Sequence, residues 1–90
     1  MAVTEDDYEK AELVVEESKR TAQVDTGALK RSIHVTVKKG ILVFRQYFYG
    51  IEDGNSKLVE NAKKMMGDTP YIIELVDEEG RVRDTISESN

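Results

Sequence analysis

The apolar positions of the first 22 residues recur with the period of an α-helix. Thr4 followed by Asp7 resembles a capping box, and acidic residues crowd the first turns while Lys19 and Arg20 stand near the end, as the helix dipole favours. The pattern therefore predicts an amphipathic helix over residues 5–22 with an outer side rich in carboxylates. Its predicted inner face comprises Tyr8, Ala11, Val15, Ser18 and Ala22, widened by Leu13 and Val14.

From residue 32 the period changes to two, which is typical of a half-buried strand. Ile33, Val35 and Val37 alternate with polar residues, Lys39-Gly40 supplies a turn, and the chain returns as a second strand, so residues 32–49 are predicted to form a hairpin. The second strand is apolar on both faces. That pattern indicates either a central strand or a face reserved for a partner.

The rest of the chain repeats this order of elements. A short helix is predicted over residues 56–66 with Gly67 as its C-terminal cap, then a hairpin over residues 71–86, and a loose tail over residues 87–90. We therefore expect one α+β domain spanning residues 1–90. Its long N-terminal helix would pack on a small, mostly antiparallel sheet of about four strands, with the short helix between the two hairpins.

Charge is strongly segregated along the chain, although the formal net charge is only −5. Residues 1–18 carry seven acids and one base, residues 19–49 carry seven bases and one acid, and residues 50–90 carry ten acids and five bases. Such blocks favour pairing within the chain or contact between copies, or they are solvated faces.

Composition excludes several kinds of chemistry. No cysteine is present, so disulfides and thiolate zinc sites are ruled out, and the absence fits a reducing compartment. The acidic start is unlike a signal peptide, and no apolar run reaches the roughly 18–20 residues that span a bilayer. We therefore expect a soluble protein without a membrane role.

The most suggestive catalytic pattern is Asp25-Thr26-Gly27, which resembles the active-site signature of aspartic proteases. Those enzymes place the tripeptide after an apolar strand, whereas here it follows an acidic helix, and no glycine-rich flap follows. A structural interpretation is favoured: Asp25 or Thr26 caps a turn, Gly27 allows close packing, and Leu29 and Ile33 anchor the corner in the core.

Other candidate sites are weaker. His34 is the sole histidine and is expected at the surface, and Asp53-Gly54-Asn55 lacks the spacing of a calcium loop. The basic residues between 30 and 45 could contact phosphates, but the low isoelectric point and the lack of a nucleic-acid fold signature argue against a dedicated role. We expect no enzymatic activity, no metal and no cofactor.

The stretch from Asp25 to Ile33 resembles the Asp-Thr-Gly-x-Leu-x-x-Ser-Ile motif of tail-completion and head–tail joining proteins of tailed bacteriophages. In that family the motif follows an N-terminal helix and leads into a strand, as predicted here. A second stretch, Tyr49 to Gly54, is similar to the family's Tyr, Glu, Gly pattern after the hairpin. The structural motif residues would be Asp25, Thr26, Gly27, Leu29, Ser32 and Ile33.

The resemblance implies a virion protein of the phage neck, assembled in the host cytoplasm. Copies would form a ring, of six or twelve members in such families, between the portal side of the capsid and the tail, and DNA would pass through without sequence-specific binding. Candidates for contact with other subunits or neck proteins are Lys30, Arg31, Lys38, Lys39, Tyr47, Tyr49, Gly50 and Glu52. We expect the acidic helix of one copy to meet the basic hairpin of the next, or the acids to line the lumen. The alternative is a small acidic phage-encoded inhibitor or adaptor that binds a host protein.

Overall fold

A computed structural model describes residues 3–21, 31–47 and 57–88 of the chain. Two helices, α1 (Glu5–Thr21) and α2 (Lys57–Met66), accompany four strands among the described residues. Residues 31–32 are also helical, so the first hairpin begins two residues later than the predicted residue 32. The strands are β1 (His34–Lys38), β2 (Ile41–Tyr47), β3 (Tyr71–Val76) and β4 (Val82–Glu88), and they lie side by side in the order β1-β2-β3-β4. The α+β fold class and the mostly antiparallel sheet predicted from the sequence are confirmed.

Helix α1 begins at the predicted capping box. The backbone N–H of Asp7 donates to Thr4 Oγ1 at 3.1 Å, and the N–H of Thr4 donates to Asp7 Oδ2 at 3.4 Å, so each residue satisfies the other's free amide. Among the described residues the inner face was predicted correctly except at Leu13, whose side chain is 53% exposed; Ala22 lies outside them. Leu13 lies about 200° round the helix from Ala11 at roughly 100° per residue, and it therefore points away from the sheet.

The first hairpin follows the predicted turn. Lys38 pairs with Ile41 in an antiparallel register, and both turn residues between them have positive φ, 53° at Lys39 and 77° at Gly40. Two residues of this conformation match the right-handed twist of the flanking strands. Strand β2 ends at Tyr47 among the described residues, and the predicted continuation through Phe48 and Tyr49 lies outside them.

Helix α2 carries the chain from β2 to β3, and this crossover makes the β2–β3 pair parallel. Leu58, Ala62 and Met66 lie one turn apart and face the core with no exposed surface, as in an amphipathic helix. The helix ends at Gly67, whose φ of +59° is that of a left-handed cap residue. Sequence periodicity predicted these elements, and the parallel pairing follows from the helical crossover.

The second hairpin extends further than predicted. Strand β4 includes Ser87 and Glu88, which were expected in a loose tail, because they pair with Ile72 and Tyr71 and so gain backbone partners along the full length of β3. The turn before β4 is closed by Asp77. Its Oδ1 accepts the backbone N–H groups of Glu79 and Arg81, each at 2.9 Å.

Both helices pack on one face of the sheet, and the core lies between the two layers. Phe44 and Tyr71, neighbours across β2 and β3, meet edge to face with ring centroids 5.8 Å apart. Alternation places Thr36, Val43 and Ile72 on the opposite face, where no described element covers the sheet. Strand β2 thus has a strand on each side, as the first of the two interpretations of its apolar pattern predicted.

Candidate interaction surface

Two residues of the predicted motif fall within the described ranges, and both are structural. Ile33 is 2% exposed and belongs to the core cluster, as expected of an anchor at the start of β1. Ser32 is half-buried, and its Oγ accepts the backbone N–H of Tyr47 at 3.1 Å. The start of β1 is thereby fastened to the end of β2, so the motif's last two residues fix the open end of the first hairpin.

The remaining predicted positions divide into two groups. Those that lie outside the described residues are Asp25, Thr26, Gly27, Leu29, Lys30, Tyr49, Gly50 and Glu52. Those that the structure describes on the surface are Arg31, Lys38 and Lys39, which are exposed, and Tyr47, which is half-buried. The structure therefore brings Ser32 and Tyr47 together, and it puts Lys38 and Lys39 at the opposite end of the same hairpin.

His34 is the first residue of β1, and its side chain is exposed. Its Nδ1 lies 2.8 Å from the backbone carbonyl oxygen of Ser32, and a ring nitrogen that carries its proton there donates to that oxygen. This contact occupies one ring nitrogen with a local backbone group. The histidine, predicted at the surface, is exposed.

One side of α1 is a stripe of carboxylates. Glu5, Glu9, Glu12 and Glu16 are all exposed and recur at intervals of three and four residues, so they line the same side of the helix. The first-turn acids favour the positive end of the helix dipole. This stripe is the acidic outer side predicted from the sequence, now assigned to one edge of the helix.

The stripe borders an open groove of about 620 Å³ between the first half of α1 and the turn of the first hairpin. Its apolar floor is formed by Val3, Tyr8 and Val37, and its rim by carboxylates. Val37 faces the helix layer at the edge of the sheet, yet 44% of its surface is exposed because α1 does not reach over it. The full lining consists of Val3, Thr4, Glu5, Tyr8, Glu9, Glu12, Val37 and Gly40.

The uncovered face of the sheet carries an ion pair between adjacent strands. Arg45 Nε donates to Glu74 Oε1 at 2.8 Å, across the parallel β2–β3 pair. Sequence analysis placed Arg45 among the basic residues that could contact phosphates, and in the structure its guanidinium is engaged by a carboxylate 29 residues away. Neither residue has a sequence neighbour that signals the pairing.

Asp7 and Asp77 have lowered pKa values, and each carboxylate stabilises the local structure around it. The side-chain hydrogen bond with Thr4 is the largest cause that lowers the pKa of Asp7, and Thr69 Oγ1 adds a weaker donor at 3.4 Å. The backbone hydrogen bond from Arg81 is the largest cause that lowers the pKa of Asp77. Hydrogen bonds thus keep both carboxylates ionised, and their charge stabilises the local backbone.

Sequence reasoning missed the groove, since its two walls are about 30 residues apart in the chain. The one available signal was Val37, an apolar residue next to Lys38 and Lys39 in a strand of five residues. Within the described ranges, no three metal-binding side chains converge. No helix in those ranges has the length and apolar character to cross a membrane.

Comparison with known proteins adds no family to this description. No protein-family model, no curated protein and no solved structure matches the chain.

Proposed function

We propose that this chain is a structural subunit of the neck of a tailed bacteriophage, which forms a ring that joins the capsid's portal side to the tail. The observation that carries the proposal is the order of elements around the Asp25–Ile33 motif. Helix α1 ends at Thr21, the motif follows, and β1 begins at His34, which is the helix–motif–strand context of the connector family that the motif resembles. The proposed location is the virion.

The contacts of Ser32 support a structural role for the motif. Its Oγ holds the Tyr47 amide, two residues before the second stretch of resemblance begins at Tyr49. The end of the first stretch therefore lies beside Tyr47, the last described residue before the second stretch. A corner of this kind gives a ring subunit a rigid shape, and the role needs no catalytic group.

The charge distribution supports passage of DNA through such a ring. Exposed carboxylates follow one side of α1 over at least three turns, from Glu5 to Glu16. In a ring, the part of this side that no neighbouring copy covers would line the lumen, where like-charge repulsion keeps the phosphates of DNA from adhering to the wall. The chain then acts by geometry and electrostatic repulsion, as neither a nuclease nor a sequence-specific binder.

Particle association tests the proposal. Disruption of the gene in the producing phage should leave filled heads and separate tails, and a plasmid-borne copy should restore joined particles that contain the protein. Electron microscopy of the particle neck, with the protein bearing a C-terminal tag, should place density at the junction. A complementing copy with Glu78→Lys, a reversal in the exposed β3–β4 turn, controls for expression and net charge.

Joined, infectious particles that lack the protein would contradict the proposal. Recovery of one host enzyme with the purified chain, in the absence of any virion association, would favour the inhibitor or adaptor function instead. Peptidase activity abolished by Asp25→Asn in a folded chain would contradict both.

A further inference from the structure

The acidic groove and the tip of the first hairpin have complementary chemistry. The groove offers an apolar floor, in which Val37 is 44% exposed, and a rim formed by Glu5, Glu9 and Glu12. The tip offers two exposed cations, Lys38 and Lys39, at the end of an edge strand. A surface with this floor and rim is suited to a segment that combines ammonium groups with an aliphatic side chain.

The tip supplies that combination within one turn. Ile41, 37% exposed, follows the two lysines directly after Gly40 and projects from the sheet face that the helices leave open. Neither lysine has a described carboxylate within ion-pairing distance, although three glutamates line the groove next to Gly40. Lys38 alternates with Val37 and therefore points to the sheet face opposite the helices, while Lys39 lies in the turn itself.

We propose that the groove between α1 and the first hairpin is a self-association site that receives the Lys38-Lys39 tip of a second copy. Lys38 and Lys39 of one copy meet Glu9 and Glu12 of the other, and Ile41 covers the exposed floor at Val37. This goes beyond the neck assignment, because the contact is a property of the purified chain whatever particle contains it. It also accounts for the segregation of charge along the sequence.

The size of the contact sets the expected affinity. A hairpin tip in a groove of this volume buries less than the roughly 1,200–2,000 Å² of standard stable interfaces, so association of purified chains should require about 0.1–1 mM protein. Copies that each carry −5 also repel at long range, and added salt screens both this repulsion and the local attraction. Charge exchange therefore tests the contact more sharply than a salt series.

The experiment uses two reversed variants of the full chain. The groove variant carries Glu9→Lys and Glu12→Lys, and the tip variant carries Lys38→Glu and Lys39→Glu. Each should weaken self-association, measured by sedimentation equilibrium, by about tenfold or more, because like charges then meet in the contact. An equimolar mixture should restore the natural affinity, and so should the four-fold variant, whose net charge equals that of the natural chain.

A matched control separates the contact from net charge. Glu16→Lys with Glu78→Lys changes the net charge as much as the groove variant does, but both positions lie outside the groove lining. Self-association of this control should not weaken. Circular dichroism verifies that each variant folds, and the milder pair Glu9→Gln and Glu12→Gln replaces the groove variant if it does not.

Several results would overturn the inference. One is that the natural chain stays monomeric at about 1 mM. Another is that self-association survives both charge reversals, and a third is that the mixture of the two variants fails to restore self-association. Binding of a Lys- and Val-rich peptide in the groove without self-association would assign the site to another protein. None of these results bears on whether the chain enters virions, so failure here leaves the neck proposal standing.

Discussion

Removing Arg45 and removing Glu74, the two partners of one ion pair, should lower the free energy of unfolding by different amounts. The two side chains are 33% and 14% exposed, respectively, and they are joined at 2.8 Å. Arg45→Met leaves Glu74 as a carboxylate with little access to water, whereas Glu74→Gln leaves a guanidinium that can extend into solvent and donate hydrogen bonds to water or to the Gln amide oxygen. We therefore expect Arg45→Met to be the more damaging substitution.

The magnitudes follow from the partial burial of the pair. Removing one partner of a fully buried pair costs about 3–5 kcal/mol, and exposed pairs contribute about 0–1 kcal/mol. With Glu74 mostly covered and Arg45 one-third exposed, we expect Arg45→Met to lower the free energy of unfolding by about 2 kcal/mol and Glu74→Gln by about 1 kcal/mol. The double variant should lose less than the sum, since Met and Gln leave no charge on the sheet face.

Urea unfolding followed by circular dichroism measures these differences. With a slope of about 1–2 kcal/mol per molar urea for a small protein, the loss of 2 kcal/mol moves the midpoint by about 1–2 M. Arg20→Met is the matched control, because Arg20 and its partner Glu17 are 71% and 37% exposed, so the substitution should move the midpoint much less than Arg45→Met does. Equal losses for the two single variants, or strict additivity in the double variant, would refute the reasoning.

Three further predictions concern caps, pH and backbone strain. Thr4→Ala should lower the free energy of unfolding by about 1 kcal/mol, measured by urea unfolding, because the N–H of Asp7 loses its acceptor. The lowered pKa values of Asp7 and Asp77 mean that their stabilisation is present above the unfolded-state pKa of about 3.9 and is lost as pH falls through the folded-state values. The urea concentration at the unfolding midpoint should therefore decrease as the pH is lowered below about 4. Asp77→Asn should make this decrease with pH shallower. Lys39→Asn should raise the thermal midpoint, because Asn tolerates the φ of 53° better than Lys does.

Each of these has an outcome that contradicts it. An unchanged midpoint in Thr4→Ala would mean that the helix start is held by other contacts. Stability that is flat down to pH 2 would remove the linkage argument for both aspartates. A lower thermal midpoint in Lys39→Asn would show that the lysine side chain stabilises the turn by more than the backbone strain costs.

Local chemistry by itself determined most of the secondary structure. The start of α1 was predictable because Thr4 and Asp7 satisfy each other's amides within one turn, and this needs no distant residue. The turn at Lys39-Gly40 and the cap at Gly67 were predictable for the same reason, since positive φ is a property of the residue and its neighbours. Periodicity then separated core from surface along most of the helices and strands, with Leu13 as the error.

Tertiary structure decided everything that joins distant parts of the chain. The parallel register that brings Arg45 to Glu74 depends on how α2 crosses the sheet, and β4 reaches Glu88 only because β3 offers it partners. The acidic groove likewise depends on tertiary structure, because its floor combines Tyr8 with Val37. Periodicity predicts which side of an element is apolar, but packing sets how much of that side a neighbouring element covers. Val37 shows the difference, because it lies on the apolar side of β1 and is only half covered.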